Sequence, residues 1–409
     1  MLCPSQSHFL SVTNRLLEKF YLWKAPMKKY SILLLILTLM ACQSVLGQEN
    51  GIKKFIRNMY FSKDSSKKSN FVLVPAIASA PETGLEFGGA SLFSFYTDTV
   101  RHSITRVSNL YGYAAITTKA QEKISLTASY WEPQNTWHYT ANFSFYNFPF
   151  DFFGIGNNTS KADEELIDEK RTRVIFGAQK LVAPDFYAGF NAGALKYYYF
   201  SGVADQNLLF KNDPTIEDKA GGTDLQAGPV LTFDTRNNNT YTTKGMILNV
   251  NFNYIQGVFS SVGYEGGFLN VDYSQFFKLQ KKLVLGLNAK EQSLIGGQSP
   301  FFLLPQLGND ALMRGYYTGR YRDRNLLAGQ AELRYRIIER LGIVGFIGTG
   351  EVAHNSFSAS QLKPNYGGGL RYFFDIEKGL SIRADYGYGE KPAGETREQG
   401  FYIALGEAF

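Results

Sequence analysis

Between Leu326 and Ile337 the chain alternates strictly. Leu327, Gly329, Ala331, Leu333, Tyr335 and Ile337 are small or apolar, while Gln330, Glu332, Arg334 and Arg336 are polar or charged. A period of two predicts a β-strand with one dry and one wet face. Trp137–Tyr146 repeats the pattern, setting Trp137, Tyr139, Ala141, Phe143 and Phe145 against His138, Thr140, Asn142 and Ser144. In Met246–Tyr254 three asparagines, Asn249, Asn251 and Asn253, share the polar face. A dry core would satisfy three adjacent amides with difficulty, whereas a water-filled lumen satisfies them at once. The pattern therefore predicts an all-β membrane barrel in which apolar side chains face lipid and charged ones face the lumen.

Sixteen such segments follow one another. The first eight are Phe71–Ala80, Leu85–Tyr96, Ser103–Thr117, Lys123–Trp131, Trp137–Tyr146, Arg171–Ala183, Phe186–Phe200 and Leu225–Asp234. The second eight are Met246–Tyr254, Gly267–Lys278, Leu283–Glu291, Leu326–Ile337, Gly342–Gly350, Asn365–Phe374, Leu380–Tyr388 and Phe401–Phe409. Most are of the length that membrane strands have, about 9 to 11 residues. With both ends of the barrel in the periplasm, the links after strands five, seven, eleven, thirteen and fifteen lie outside, and all are long. Those after strands six, ten, twelve and fourteen lie inside and are short. Long outer loops and short inner turns are the mark of a 16-stranded antiparallel transmembrane barrel.

Composition agrees with this and narrows the compartment. The chain has 33 Phe, 26 Tyr and 40 Gly with only 44% hydrophobic residues, as aromatic girdles and close strand packing require. A formal charge of +6 without a basic block gives no support to nucleic-acid binding. Met27-Lys28-Lys29, the apolar run Ile32–Met40 and the small residues after it read as a signal peptide over 27–47, which leaves 1–26 as a spurious upstream extension. The apolar run is too short for a membrane helix, which takes about 20 residues. Cleavage after Gly47 is the preferred reading; lipidation of Cys42, in Leu39-Met40-Ala41-Cys42, is the competing one. Residues 48–70 form a short lysine-rich periplasmic lead-in, and 71–409 the barrel. Cys3 and Cys42 are the only cysteines, the histidines have no metal-ligand spacing, and no catalytic or phosphate-binding motif is present. Nothing here points to an enzyme, a cofactor or a metal.

The long link before strand twelve contains Met313-Arg314-Gly315-Tyr316. This motif, in this position, resembles the BamA/TamA-type assembly factors, also called bacterial surface antigens, whose sixth surface loop carries Val/Ile-Arg-Gly-Phe/Tyr. Asp234-Thr235-Arg236-Asn237 followed by Thr243-Lys244-Gly245 resembles a second segment of that superfamily. The resemblance implies a loop inserted into the lumen, with Arg314 as its anchor. In the superfamily the partner acid lies in a Phe-x-Asp-x-Gly pattern on strand thirteen, but Phe346-Ile347-Gly348-Thr349-Gly350 puts glycine at that place. Parity points Glu332 and Asp385 into the lumen, so these two are the candidate substitutes. Arg334, Arg336, Arg371, Arg383, Asp272 and Lys278 share that orientation and form either a packed charge network or a path for substrate.

The resemblance further implies an outer-membrane protein that assists insertion or translocation of other proteins, with unfolded or translocating proteins as partners and lipid around it. Phe409 would be the aromatic terminus by which the barrel assembly machinery recognises the chain for its own insertion. A passive or substrate-specific channel and a structural surface barrel are the alternatives. The lead-in is too short to hold the periplasmic POTRA domains of the better-known members, since a core needs more than about 40 residues.

Overall fold

A computed structural model describes residues 69–98, 105–200, 209–214, 216–259, 263–376 and 379–409. The signal peptide, Cys42 and nearly all of the lead-in lie outside the described residues. Sixteen long strands form one antiparallel sheet that closes on itself. They are β1 Asn70–Ala80, β2 Gly84–Phe95, β3 Ser108–Thr117, β4 Glu122–Trp131, β5 Trp137–Asn147, β6 Glu165–Ala183, β7 Phe186–Phe200 and β8 Thr223–Asp234. They continue as β9 Gly245–Gly257, β10 Glu265–Gln280, β11 Leu283–Ile295, β12 Asn325–Ile338, β13 Leu341–Ala353, β14 Lys363–Asp375, β15 Leu380–Tyr388 and β16 Gln399–Leu405. A three-residue strand, Phe150–Phe152, pairs with the start of β6 inside the loop between β5 and β6. Each long strand pairs with its neighbours in sequence, and β16 returns to β1.

The barrel is inside out. Leu333, Ile347, Leu370, Ile382 and Phe401 stand exposed on the outer surface, while Glu332, Arg334, Arg371, Arg383 and Asp385 are buried inside. Such a shell is stable only against lipid, where a closed ladder leaves no edge strand unsatisfied. Among the described residues no helix is long and apolar enough to cross a membrane.

Strand ends depart from the periodic reading in two informative places. β6 begins at Glu165 rather than Arg171, because the loop strand Phe150–Phe152 extends its ladder. The last strand ends at Leu405 rather than Phe409, because Gly406 adopts φ +79, which only glycine enters at low cost. The four residues after it turn inward: the Phe409 ring meets Phe276 of β10 at 5.8 Å, and the Phe409 carbonyl accepts a 2.9 Å hydrogen bond from Arg334. Links 96–107 and 235–244, at the end opposite the five long loops, are also long, so the asymmetry of the two ends is a majority pattern.

Candidate functional site

The loop between β11 and β12, residues 296–324, is the sixth on the loop end of the barrel. Its fold is set locally before it touches the wall. Asn309 Oδ1 accepts from the amides of Ala311 and Leu312, both at 2.7 Å, closing a tight turn just ahead of the motif. Met313 then takes φ +57 and Gly315 φ +115. A Cβ on Gly315 would lie 2.7 Å from the Tyr388 backbone, so the position accepts no side chain. Leu307, Leu312, Met313, Tyr316 and Tyr321 from this loop share one apolar cluster with Leu326, Ala328 and Val352 on the inner faces of β12 and β13.

Arg314 is fully buried. Its guanidinium reaches Asp385 on β15 at 2.6 Å and Glu332 on β12 at 2.5 Å, and lies 3.6 Å over the ring of Phe346 on β13. Both candidate acids therefore contact it at once. Gly348 contributes no acid and has no room for one: a Cβ there would sit 2.5 Å from Asn365 Oδ1 and 2.7 Å from the Gly329 carbonyl. Of the family's strand-thirteen pattern the phenylalanine and the final glycine, Gly350, remain, the phenylalanine as the surface beneath the cation.

The charges continue through the inner wall. Arg334 donates to Glu332 at 2.7 Å; Arg371 to Asp385 at 2.5 Å and to Glu407 at 2.8 Å. Arg383 pairs with Asp310 of the loop at 2.5 Å and approaches Asp385 at 3.3 Å. Asp272 pairs with Lys290 at 3.2 Å, Arg336 stacks 3.8 Å over Phe373, and Lys278 is exposed at the end of β10. The network reading suits these residues better than a lined path. Buried charge is tolerated here because each of the buried acids Glu332, Asp385 and Glu407 meets two or more cations. Glu407 and Phe409, which the terminal-strand reading placed on a wall, belong to this network instead.

Loop six also touches both strands that close the barrel. The Gly315 amide donates to the Tyr402 hydroxyl of β16 at 2.8 Å, and Thr318 Oγ1 donates to Glu82, in the turn after β1, at 2.7 Å. Burial pushes the Glu82 carboxyl above its ordinary value, against the Thr318 hydrogen bond. Further out, Arg320 pairs with Glu395 at 2.5 Å and with Glu398, while Thr159 accepts from Arg320 through its carbonyl. Loops three, six and eight are thereby tied together. These outer contacts carried no motif; only the accumulation of arginine and glutamate in three long loops could have hinted at them.

β1 and β16 themselves are barely joined. Their register holds one pair, Ser79–Ile403, whereas β1 meets β2 at eleven positions and β16 meets β15 at seven. Pro75 on β1 has no amide hydrogen to offer a ladder, and Gly400 lets the chain approach Pro81, where a Cβ would lie 2.7 Å from the ring.

The second segment that carried the resemblance is the connection from β8 to β9. Asp234 is buried and receives Arg236 at 2.9 Å and Arg106 at 2.8 Å. Asn237 Oδ1 accepts from the amides of Thr243 and Lys244. Gly245, at φ +98, passes so close to Thr235 that a Cβ would lie 2.2 Å from its carbonyl.

A closed antiparallel barrel with a lipid-facing exterior and a buried arginine motif in its sixth loop defines an outer-membrane β-barrel. The Omp85 superfamily domain matches residues 109–409, and the chain belongs to that superfamily. Among solved structures, BamA from Haemophilus ducreyi lacking POTRA domains 1–3 is similar with a TM-score of 0.55 at 11% identity, over 83% of this chain and 70% of that one. CdiB from Acinetobacter baumannii is similar with a TM-score of 0.53 at 12% identity, over 84% and 60%. CdiB from Escherichia coli gives 0.54 at 10%, over 85% and 63%. The chain thus spans less than two thirds of either CdiB, and at these identities the likeness is one of fold. Comparison with curated proteins gives no match.

Proposed function

We propose that this barrel inserts or translocates other proteins at the outer membrane by parting β1 from β16, with loop six as the clamp that holds the seam. The observation that carries the reading is the single register pair at that seam. Ladder hydrogen bonds supply the closure of a membrane barrel, so the joint with fewest of them opens at least cost. Gly315 with Tyr402 and Thr318 with Glu82 put loop six on both sides of it. Arg314, between Glu332 and Asp385, fixes the loop in place. Partners in this reading are unfolded or translocating polypeptides.

The test is depletion of the protein followed by quantitative outer-membrane proteomics. Selective loss of other β-barrels or surface proteins is the expected result. An unchanged proteome would remove the assembly role and leave a channel or a structural barrel.

A further inference from the structure

Loop six does not fill the whole barrel. On the inner faces of β3 to β9 lies a polar cavity of about 500 Å³. Toward the loop end, the aromatic cluster of Phe150, Phe152, Tyr199, Phe210, Phe301 and Phe302 packs against the same strands, with Ile167 of β6 and Ile255 of β9 above the cavity-lining positions. At the opposite end its lining reaches the links, through Arg106, Arg236 and Asn239.

Two features of this chamber ask for a ligand. The first is a set of acceptors without donors: Asn251 Oδ1, Asn253 Oδ1 and Gln179 Oε1 are buried and have no hydrogen-bond partner in the protein. Asn253 and Gln179 are each only 9% exposed. Water in the lumen reaches these oxygens, and ligand hydroxyls can take the place of that water at the same acceptors. The second is charge. Arginines 106, 173 and 236 line the chamber against one carboxylate, Asp234, which Arg106 and Arg236 already share. Among the described residues Arg173 has no ion pair or hydrogen bond, and it stands exposed to the lumen.

We infer that this chamber binds an anionic saccharide, with sugar hydroxyls donating to the three amide oxygens and a carboxylate or phosphate on Arg173. Hydroxyls satisfy acceptors and donors alike, and an amide-rich wall offers both. A polypeptide strand fits less well, because the wall's backbone groups are already used in the ladders and its side chains offer few apolar pockets for a peptide's own. The guanidinium of Arg173 matches either oxyanion in bidentate fashion. This inference is independent of any opening between β1 and β16.

The test is saturation-transfer NMR and calorimetry on the full barrel in detergent micelles. The probes are glucuronate, glucose 6-phosphate, glucose, inorganic phosphate and an acidic hexapeptide. Binding of either charged sugar, with glucose and phosphate each weaker, is the expected result; which of the two binds tells whether carboxylate or phosphate is preferred. R173Q should weaken the charged sugar by about tenfold or more while leaving the melting temperature unchanged, since a charge-assisted hydrogen bond is lost and no structural partner is. N251A/N253A should weaken glucose and glucuronate alike. No sugar binding at millimolar concentration, equal binding by R173Q, or binding of the peptide alone would overturn the assignment.

Discussion

Arg314 carries a full charge with no contact to water, held by two carboxylates and one ring. Removing one partner from a buried ion pair costs about 3–5 kcal/mol, because the other charges stay buried. Arg314→Ala should fall near the lower end, since Arg334, Arg371 and Arg383 remain beside the two acids. Urea unfolding of the folded barrel, followed by gel mobility, measures this. Arg314→Lys should recover only part of the loss, because a single ammonium does not span Glu332 and Asp385 as a planar guanidinium does. A double-mutant cycle of Arg314 with Asp385 should show coupling; additivity would remove the clamp from the proposal.

Restoring the superfamily's acid by Gly348→Asp should destabilise rather than strengthen the site, by about 1–3 kcal/mol of overpacking against Asn365 and the Gly329 backbone. That Glu332 and Asp385 face inward was legible because strand parity fixes the face a residue takes. Their sharing of Arg371 and Arg383, with Glu407 as a third acid on Arg371, was not. Parity gives a side chain's direction but not its height along the barrel, and Glu407 reaches the network only after Gly406 breaks the strand.

At the level of strands and loops, the seam makes the sharpest claim. Ser79 and Ile403 are register partners, so cysteines placed there should form a disulfide without distorting the wall. S79C/I403C should fold to the same heat-modifiable barrel, and oxidation should abolish complementation of a depleted strain while reduction restores it. Complementation by the oxidised form would exclude seam opening.

The loop latch should respond to acid. Although partial burial works the other way, hydrogen bonds from Arg320 and the Lys161 amide hold Glu395 below the ordinary glutamate value of 4.5. A depressed carboxyl contributes stability above the unfolded value and loses it as pH falls through the folded one. Loops three, six and eight should therefore stay protected from protease at neutral pH and become cleavable once pH has fallen below the ordinary glutamate value, with Glu395→Gln cleavable throughout. Strand existence and order were legible from period alone, and so was the excess of long loops at one end. The bounds were not, where a loop strand lengthened β6 and a glycine shortened β16. Both depend on partners that the local pattern does not contain.

Across the whole molecule the sequence distinguishes lipid face from lumen but says nothing of how the lumen is shared out. Every inward residue obeys the same period, whether loop six covers it, as for Glu332, or a cavity does, as for Asn253. The partition follows from the composition of loop six, whose Phe301-Phe302-Leu303-Leu304 run finds Ile167 of β6, the tyrosines of β7 and the phenylalanines of the loop strand, while its Arg314 finds the acids of β12 and β15. One half of the barrel is thus filled by ion pairs, and the loop end of the other by packed rings, such as Phe210 edge-to-face with Phe301 at 4.8 Å. A barrel packed in this way should conduct poorly despite its sixteen strands. In planar bilayers the intact protein should show low conductance with rare openings. Replacing Phe301–Leu304 with serines should raise the conductance several-fold without changing heat modifiability, because the rings contribute to the lumen and not to the wall. The charge cluster should still hold loop six near β15 in that variant, so adding Arg314→Ala should raise the conductance again. A large steady conductance in the unaltered barrel would instead mean that loop six leaves the lumen in a membrane, and a passive channel would then be the better account of the protein.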